Sequence, residues 1–292
     1  MRKYVNFIFA LLLFTFSFSV CAFADMGPKP SVNVEFTGGQ GKEYYVTLLS
    51  ENDSTGPYYT AKQGDIMQNK PSNIISAAEK FEEYKDEDGY YFIQYVENCT
   101  ESGKLNWTYY PPKKFKILVY FPETNSYAVS EVCERYAFHS YFKTDLTEAV
   151  SGENTVCGIT ASENYNFKKE LVSLFVRIAI TIAAEMLIAL AFGLRTKKQL
   201  LTVLGVNVLT QIVLNVLLNI INYKSGYWAF VINYVWMEAA VVAIEYFVLK
   251  KIINLEEKER FKNIIVFCYS LVSNGASFAI GLALVKIIPQ IF

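Results

Sequence analysis

Residues 200–223 read LLTVLGVNVLTQIVLNVLLNIINY, a run with no charged side chain. At ~1.5 Å of rise per residue, such a run crosses a ~30 Å hydrocarbon core as one helix. Its polar residues are not scattered. Asn207, Gln211, Asn215 and Asn219 recur at every fourth position, a spacing that sets them along one helical face drifting slowly round the axis. Thr210 and Asn222 lie beside that row. In hydrocarbon an amide row needs partners from other helices, so this stretch predicts a bundle and not a lone anchor.

Three further apolar stretches of spanning length flank it, at 171–194, 228–249 and 264–288. Together they predict a membrane α-helical bundle of four transmembrane helices within residues 167–292. The connections at 195–198 and 250–262 carry three and five Lys/Arg, whereas the hairpin at 222–227 carries only Lys224. The basic connections belong on the cytoplasmic side, which places both the N-terminal region and the C-terminus outside. Tyr227 and Trp228 fit an outer aromatic belt, and Lys168 and Lys169 oppose the assignment slightly.

Apart from Lys286 at the end of the last stretch, the ionisable residues inside are Arg177, Glu185, Glu238 and Glu245. Such groups are expensive in a bilayer and are functional candidates by default. Arg177 and Glu245 lie near enough to the ends of their spans to snorkel; Glu185 and Glu238 do not. Counting from the outer end of each span at ~1.5 Å per residue puts Glu185 at ~21 Å, Gln211 at ~18 Å, Glu238 at ~15 Å and Asn274 at ~21 Å. These four, with Asn207, form the candidate intramembrane polar cluster. Arg177, Asn215 and Asn233 form a second, outer polar layer. The fourth span adds a stripe of small residues, Ser270, Ser273, Ser277 and Gly281, that admits a close helix neighbour. Interhelical glue, a proton or solute path, and a signalling surface are all compatible with this pattern.

The N-terminal part is of another kind. Arg2 and Lys3 precede an apolar run, and Ala22-Phe23-Ala24 closes it before Asp25, the pattern of a cleaved secretory signal over residues 1–24, with an uncleaved anchor as the alternative. Residues 25–166 hold 12 Lys/Arg against 21 Asp/Glu, and residues 167–292 hold 13 against 7. The near-neutral total hides an acidic extracytoplasmic region joined to a basic membrane region. Short aromatic and β-branched runs at 31–36, 44–49, 90–96, 105–110, 115–121 and 127–132 are separated by turn formers. Ile74, Ile75, Ala78 and Phe81 have helical spacing behind Pro71-Ser72. A β-rich, sandwich-like domain with one helix at 72–84 follows.

Catalytic signals are few. His139 is the only histidine, which removes metal sites and zinc proteases that need two histidines, and no nucleophile motif accompanies it to suggest a Ser-His-Asp hydrolase. No catalytic motif, metal site or cofactor is expected. Gly38-Gly39-Gln40-Gly41-Lys42 lacks the first glycine and the Ser/Thr of a phosphate loop, and Asp86-Glu87-Asp88-Gly89 lacks the closing ligands of a calcium loop. The latter reads as a helix exit and tight turn. The pairs Tyr58-Tyr59 and Tyr90-Tyr91, with Trp107-Tyr109-Tyr110, suit core pairing more than stacking on a ligand. Asn52, Asn98 and Asn106 head glycosylation patterns that matter only in a eukaryotic host. Of the five cysteines, Cys99 and Cys133 could pair in an oxidising compartment, leaving Cys157; spacing does not decide it.

Several segments carry a resemblance. They are Asp25-Met26-Gly27-Pro28-Lys29-Pro30-Ser31-Val32, Thr47-Leu48-Leu49-Ser50 with Ser54-Thr55-Gly56-Pro57, Trp107-Thr108-Tyr109-Tyr110-Pro111-Pro112, Glu134-Arg135-Tyr136-Ala137-Phe138 and Val206-Asn207-Val208-Leu209-Thr210-Gln211-Ile212-Val213-Leu214-Asn215. Through them the chain resembles a group of bacterial membrane proteins of Gram-positive type with a signal peptide, an extracytoplasmic domain and four transmembrane helices. The resemblance implies compartment and architecture and brings no activity with it. The expectation is a multi-pass plasma-membrane protein whose outer domain recognises an envelope component or a membrane-protein partner, anchored or relayed by the bundle. The competing expectation is a small transporter or transporter subunit, homo-oligomeric if four helices do not suffice, using Glu185 and Glu238. Lipid is a partner in either case, and nucleic acid in neither.

Overall fold

Residues 114–121, KFKILVYF, form the strand on which the N-terminal unit is built, because both faces of it are covered. In the computed structural model, which describes residues 29–54, 56, 70–149, 152–253 and 259–287, the chain divides into two compact units, Pro28–Tyr165 and the part from Asn166 onward. The leader expected at 1–24 lies outside the described residues.

The first unit holds two mixed sheets. In one, β1 (Ser31–Thr37) pairs in parallel with β9 (His139–Asp145) and antiparallel with β5 (Lys104–Trp107), and β11 (Ala161–Glu163) closes the edge beside β9. In the other the order is β10 (Val156–Ile159), β7 (Ser126–Ser130), β6 (Lys114–Phe121), β2 (Tyr45–Ser50), β3 (Tyr91–Phe92); β4 (Glu97–Asn98) also pairs with β2, and β8 (Cys133–Glu134) with β6. Period-two alternation places Val32, Val34 and Phe36 of β1 against Val46 and Leu48 of β2 and Phe115, Ile117 and Val119 of β6 in one core. The opposite face of β2 and β6, bearing Tyr45, Leu49, Leu118 and Tyr120, receives Ala77 and Phe81 of the helix α1 (Ser72–Glu83). Burial on both faces is why β2 and β6 read as continuous apolar runs.

Two expected strands are shorter than their sequence runs. Residues 90–96 pair only at β3, because Gln94 takes a left-handed φ of 62°. Leu49 faces Phe92 while Val46 faces Glu97, so the outer segment bulges between its two short pairings. Residues 105–110 stop pairing at Trp107, ahead of Tyr110 at φ 45° and the two prolines. Three strands after residue 138 were not expected. β9 turns Ser140 and Thr144 inward with Phe142, which hides its alternation, and β10 and β11 are short edges.

The Cys99–Cys133 bridge is not formed, and both cysteines are buried free thiols. Cys133 is opposite Phe115, whereas Asn98, next to Cys99, is opposite Tyr45 and through it Tyr120. Five residues of strand separate those levels, ~17 Å, far beyond the reach of a disulfide. Burial pushes both thiols up from their ordinary range.

The second unit is helical: α2 (Phe167–Ala191), α3 (Lys197–Ile252) and α4 (Glu259–Ile287). All three are long and apolar enough to cross a membrane, one of them being 56 residues long. Asn166 caps α2 through the Lys169 N–H, and Thr196 with Gln199 forms a capping box on α3. Where two separate spans were expected, α3 is one helical segment broken at Gly226, whose φ of 80° and ψ of 179° no other residue adopts without strain. The break reverses the chain. Leu214 and Leu218 pack with Phe230, Tyr234 and Val241, and Val203 shares a cluster with Leu249 at the other end. The arms 197–225 and 227–252 are therefore antiparallel neighbours.

Candidate functional site

The helices of the second unit bury polar groups and expose apolar ones. The buried residues of α2 are Ser173, Arg177, Thr181, Glu185 and Ala189, one every fourth position, while Leu171, Phe175, Ile180 and Leu187 are exposed. That inverted amphipathicity suits helices whose outer faces meet lipid and whose polar groups find partners inside. The first arm of α3 buries Asn207, Thr210, Gln211 and Asn215, the second Asn233, Glu238 and Glu245, and α4 buries Ser270, Ser273, Asn274 and Ser277.

Glu185 is fully enclosed. Its Oε1 accepts from Gln211 Nε2 at 3.0 Å and from Ser277 Oγ at 2.6 Å, joining α2, α3 and α4 at one level. Asn215 Nδ2 donates to Gln211 Oε1 at 3.1 Å and to the Gln211 carbonyl at 2.9 Å, which fixes the way the glutamine faces. Asn207 Nδ2 donates to the Tyr269 hydroxyl at 3.1 Å.

Glu245 is the residue whose place the sequence misassigned. It does not snorkel but is fully enclosed, with Oε1 accepting from Thr210 Oγ1 at 3.0 Å and Oε2 from Asn274 Nδ2. Seven positions after Glu238, it lies two turns on and on the same face, the signal that could have found it. Asn274 therefore serves Glu245 and not Glu238. Tyr269 and Ser277 are the other members missed, the first hidden among apolar neighbours, the second read only as a small residue.

Glu238 is also buried, and among the described residues neither of its carboxylate oxygens is bonded to another helix. The polar group at hand is the Tyr234 hydroxyl, one turn earlier on the same arm. That hydroxyl occupies the space where a Cβ at Gly281 of α4 would sit.

In the outer layer, Arg177 is buried and donates from Nη2 to Asn219 Oδ1 at 2.8 Å, which adds the last amide of the row to it. Asn215 turns to Gln211, and Asn233 Nδ2 bonds its own helix at the Ala229 carbonyl, 2.7 Å away. Arg177 precedes Glu185 by eight residues, ~12 Å along the helix.

In the first unit, the acidic turn after α1 already holds a cation. The Lys116 ammonium lies 2.9 and 3.0 Å from the two oxygens of Asp86 and 2.6 Å from Asp88 Oδ2. Asp86 also accepts from the Asp88 and Tyr90 N–H groups, and its carbonyl accepts from the Gly89 N–H. The loop that shares features with a calcium motif is thus a tight turn closed over a lysine. His139 sits at the start of β9, its Nδ1 2.7 Å from Ser31 Oγ.

Comparison of the chain with protein-family models, with curated proteins and with solved structures finds no match. The site is defined by its own geometry: a polar core of three carboxylates, one guanidinium, amides and hydroxyls, held between apolar helices.

Proposed function

We propose that the chain is a multi-pass protein of a bacterial plasma membrane in which α2, the two arms of α3 and α4 cross as a bundle of four spans, and that it is a small transporter or transporter subunit working through Glu185 and Glu238. The observation that carries this reading is Glu238. Residues that only hold helices together pair donors with acceptors, each pair contributing about 0.6 kcal/mol. A buried carboxylate whose polar neighbour is a tyrosine of its own arm adds little to cohesion between helices and costs several kcal/mol if charged. It is suited to a group that takes up and gives back a proton or a cation. The basic connections at 195–198 and 250–262 support an extracytoplasmic N-terminal unit and C-terminus.

The test is flux in proteoliposomes that contain the full chain. Wild-type protein should dissipate an imposed proton or cation gradient, and Glu185→Gln and Glu238→Gln should slow this at least tenfold. Absence of flux in wild type, or unchanged flux in both variants, removes the reading.

A second reading, recognition of an envelope component or a membrane-protein partner by the N-terminal unit, is favoured by one feature. Tyr109 and Tyr110 are exposed and set edge to face at 4.5 Å, with the Lys29 ammonium 5.3 Å from the Tyr110 ring centre. Exposed aromatics beside a cation suit a stacking surface. Capture of envelope fragments by the wild-type protein, lost in Tyr109→Ala/Tyr110→Ala, supports it; equal capture by the variant removes it.

A further inference from the structure

We infer that the outer face of the α3 hairpin binds an anionic glycerophospholipid, with an acyl chain in the groove between the two arms and the phosphate at the lysines that begin one arm and end the other. The inference rests on the membrane reading and not on transport, since it uses none of the core carboxylates.

The groove has a volume of about 180 Å3 and is lined chiefly by Leu209, Val213 and Leu217 of the first arm and Met237, Ala240 and Ile244 of the second. Leu209 and Val213 are exposed, so it opens outward. Ala240 carries the smallest side chain of the set, between Met237 and Ile244 on adjoining turns, and leaves a notch. The one polar side chain in the lining is Thr210, whose hydroxyl is committed to Glu245 and to carbonyls of its own helix. Such a groove takes hydrocarbon and not water or a polar solute.

The same two faces lead to cations. Going from Leu209 toward the start of α3 by three and four residues gives Gly205, Thr202 and Lys198, and going from Ile244 toward its end gives Val248 and Lys251. Both arms finish at one end of the bundle, where Val203 and Leu249 share a cluster. Gly205 is exposed and a Cβ there would meet open space, so the way from groove to lysines is clear at that turn. Lys197, Lys198 and Lys251 are exposed, and a hollow lined by Lys197, Lys198, Leu201 and Thr202 opens at the start of the first arm. Lys198 lies ~16 Å from Leu209 along the helix, and Lys251 ~10 Å from Ile244. Half of a ~30 Å hydrocarbon core is ~15 Å. A lipid whose phosphate sits at the lysines therefore lays the distal part of its chain in the groove.

Charge selects the occupant. The connections at 195–198 and 250–262 together hold eight Lys/Arg against three Glu. A second copy inserted the same way round, packed groove to groove about a two-fold axis along the membrane normal, brings its own lysines to the same depth, where like charges oppose association. A phosphate brings the opposite sign to that depth, and basic pockets at the cytoplasmic end of packed helices suit anionic headgroups. A zwitterionic lipid offers the same chain but cancels its phosphate with its own amine.

The test uses the full chain purified in a mild detergent, with native mass spectrometry counting the lipids retained as phosphatidylglycerol or phosphatidylcholine is added. One phosphatidylglycerol per chain is expected to outlast an equal amount of phosphatidylcholine. Lys198→Ala/Lys251→Ala should weaken that retention about tenfold, and Lys224→Ala, at the other end of the hairpin, should leave it unchanged. Ala240→Leu fills the notch and should weaken retention as well; Val213→Phe, at an exposed position, serves where Ala240→Leu fails to fold. Equal retention of the two lipids by wild type, or unchanged retention in the lysine variant, overturns the inference. So does a loss with the lysines that neither groove variant reproduces, which leaves a surface charge effect alone, and so does a chain dimer that the groove variants abolish. Release of the chain from membranes by alkaline carbonate removes the membrane reading and the inference with it. A chain that stays in the membrane and shows no preference for phosphatidylglycerol overturns the inference alone.

Discussion

Thr210 and Glu245, thirty-five positions apart on α3, share a hydrogen bond of 3.0 Å. A straight helix would hold them ~52 Å apart, so the bond exists only because the segment doubles back at Gly226. The hairpin and the polar core are one feature: without the reversal, Glu245 loses Thr210 as its partner. A side chain at Gly226 must adopt a backbone region that costs about 1–3 kcal/mol. Gly226→Ala should therefore lower the Tm of the protein in detergent, and Gly226→Val should lower it further, both readable by differential scanning fluorimetry.

The two carboxylates of the second arm should respond in opposite directions. Glu245→Leu removes the acceptor that Thr210 and Asn274 share and leaves each with carbonyls of its own helix alone, a loss of about 0.5–1.5 kcal/mol for each bond removed. Glu238→Gln strands nothing, since the glutamine keeps an acceptor for the Tyr234 hydroxyl. Its Tm should equal or exceed that of wild type. A drop in Tm for Glu238→Gln as large as that for Glu245→Leu would show that Glu238 has a structural partner.

The buried pair of the first unit offers a test away from the membrane. Lys116 and Asp86 have side chains 7% and 1% exposed. Lys116→Met leaves Asp86 charged and enclosed and should destabilise the unit by about 3–5 kcal/mol. Asp86→Asn in the same chain should recover most of the loss, as urea unfolding followed by tryptophan fluorescence can report. Calcium should leave the wild-type midpoint unchanged, because the ammonium holds the place a cation would take.

His139 predicts a pH dependence with a definite sign. Burial holds its imidazole below the ordinary value of 6.5, so the folded chain binds that proton less readily than the unfolded chain. Stability is then fully present above about pH 6.5 and falls as the pH drops below it, where the unfolded state takes up the proton first. His139→Gln, which keeps a polar partner for Ser31, should flatten the stability profile between pH 6.5 and 5. An unchanged slope would show that other groups dominate that window.

Gly281 is the close-packing position of α4. A methyl group there meets the Tyr234 hydroxyl, so Gly281→Ala must push Tyr234 away from Glu238 or separate the two helices. A lowered Tm that Tyr234→Phe partly restores is the expected outcome.

Much of this was readable along the chain, and the reason is physical in each case. A long uncharged run has few alternatives to a buried or lipid-facing helix, so the apolar stretches, their lengths and the amide row from Asn207 to Asn219 needed no tertiary information. Alternation and turn chemistry did the same for β1, β2, β6 and α1, where each strand carries a clear apolar face. What tertiary packing decided is which polar groups meet. Depth counting put Glu185 and Gln211 at one level, as their 3.0 Å bond requires, because rise per residue is constant. It could not say that Asn274 would choose Glu245 over Glu238, or that Arg177 would reach Asn219, because helix rotation and tilt are set by packing and not by count. The Cys99–Cys133 pairing failed for a similar reason: spacing along the chain carries no distance, and only the strand register placed the two thiols at opposite ends of β6. The sequence by itself determined the two kinds of region and the residues any buried polar core would use. The tertiary structure alone decided that Gly226 folds α3 into neighbouring arms, that Glu245 belongs to the core, and that Glu238 is left beside it with Tyr234 of its own arm as its neighbour.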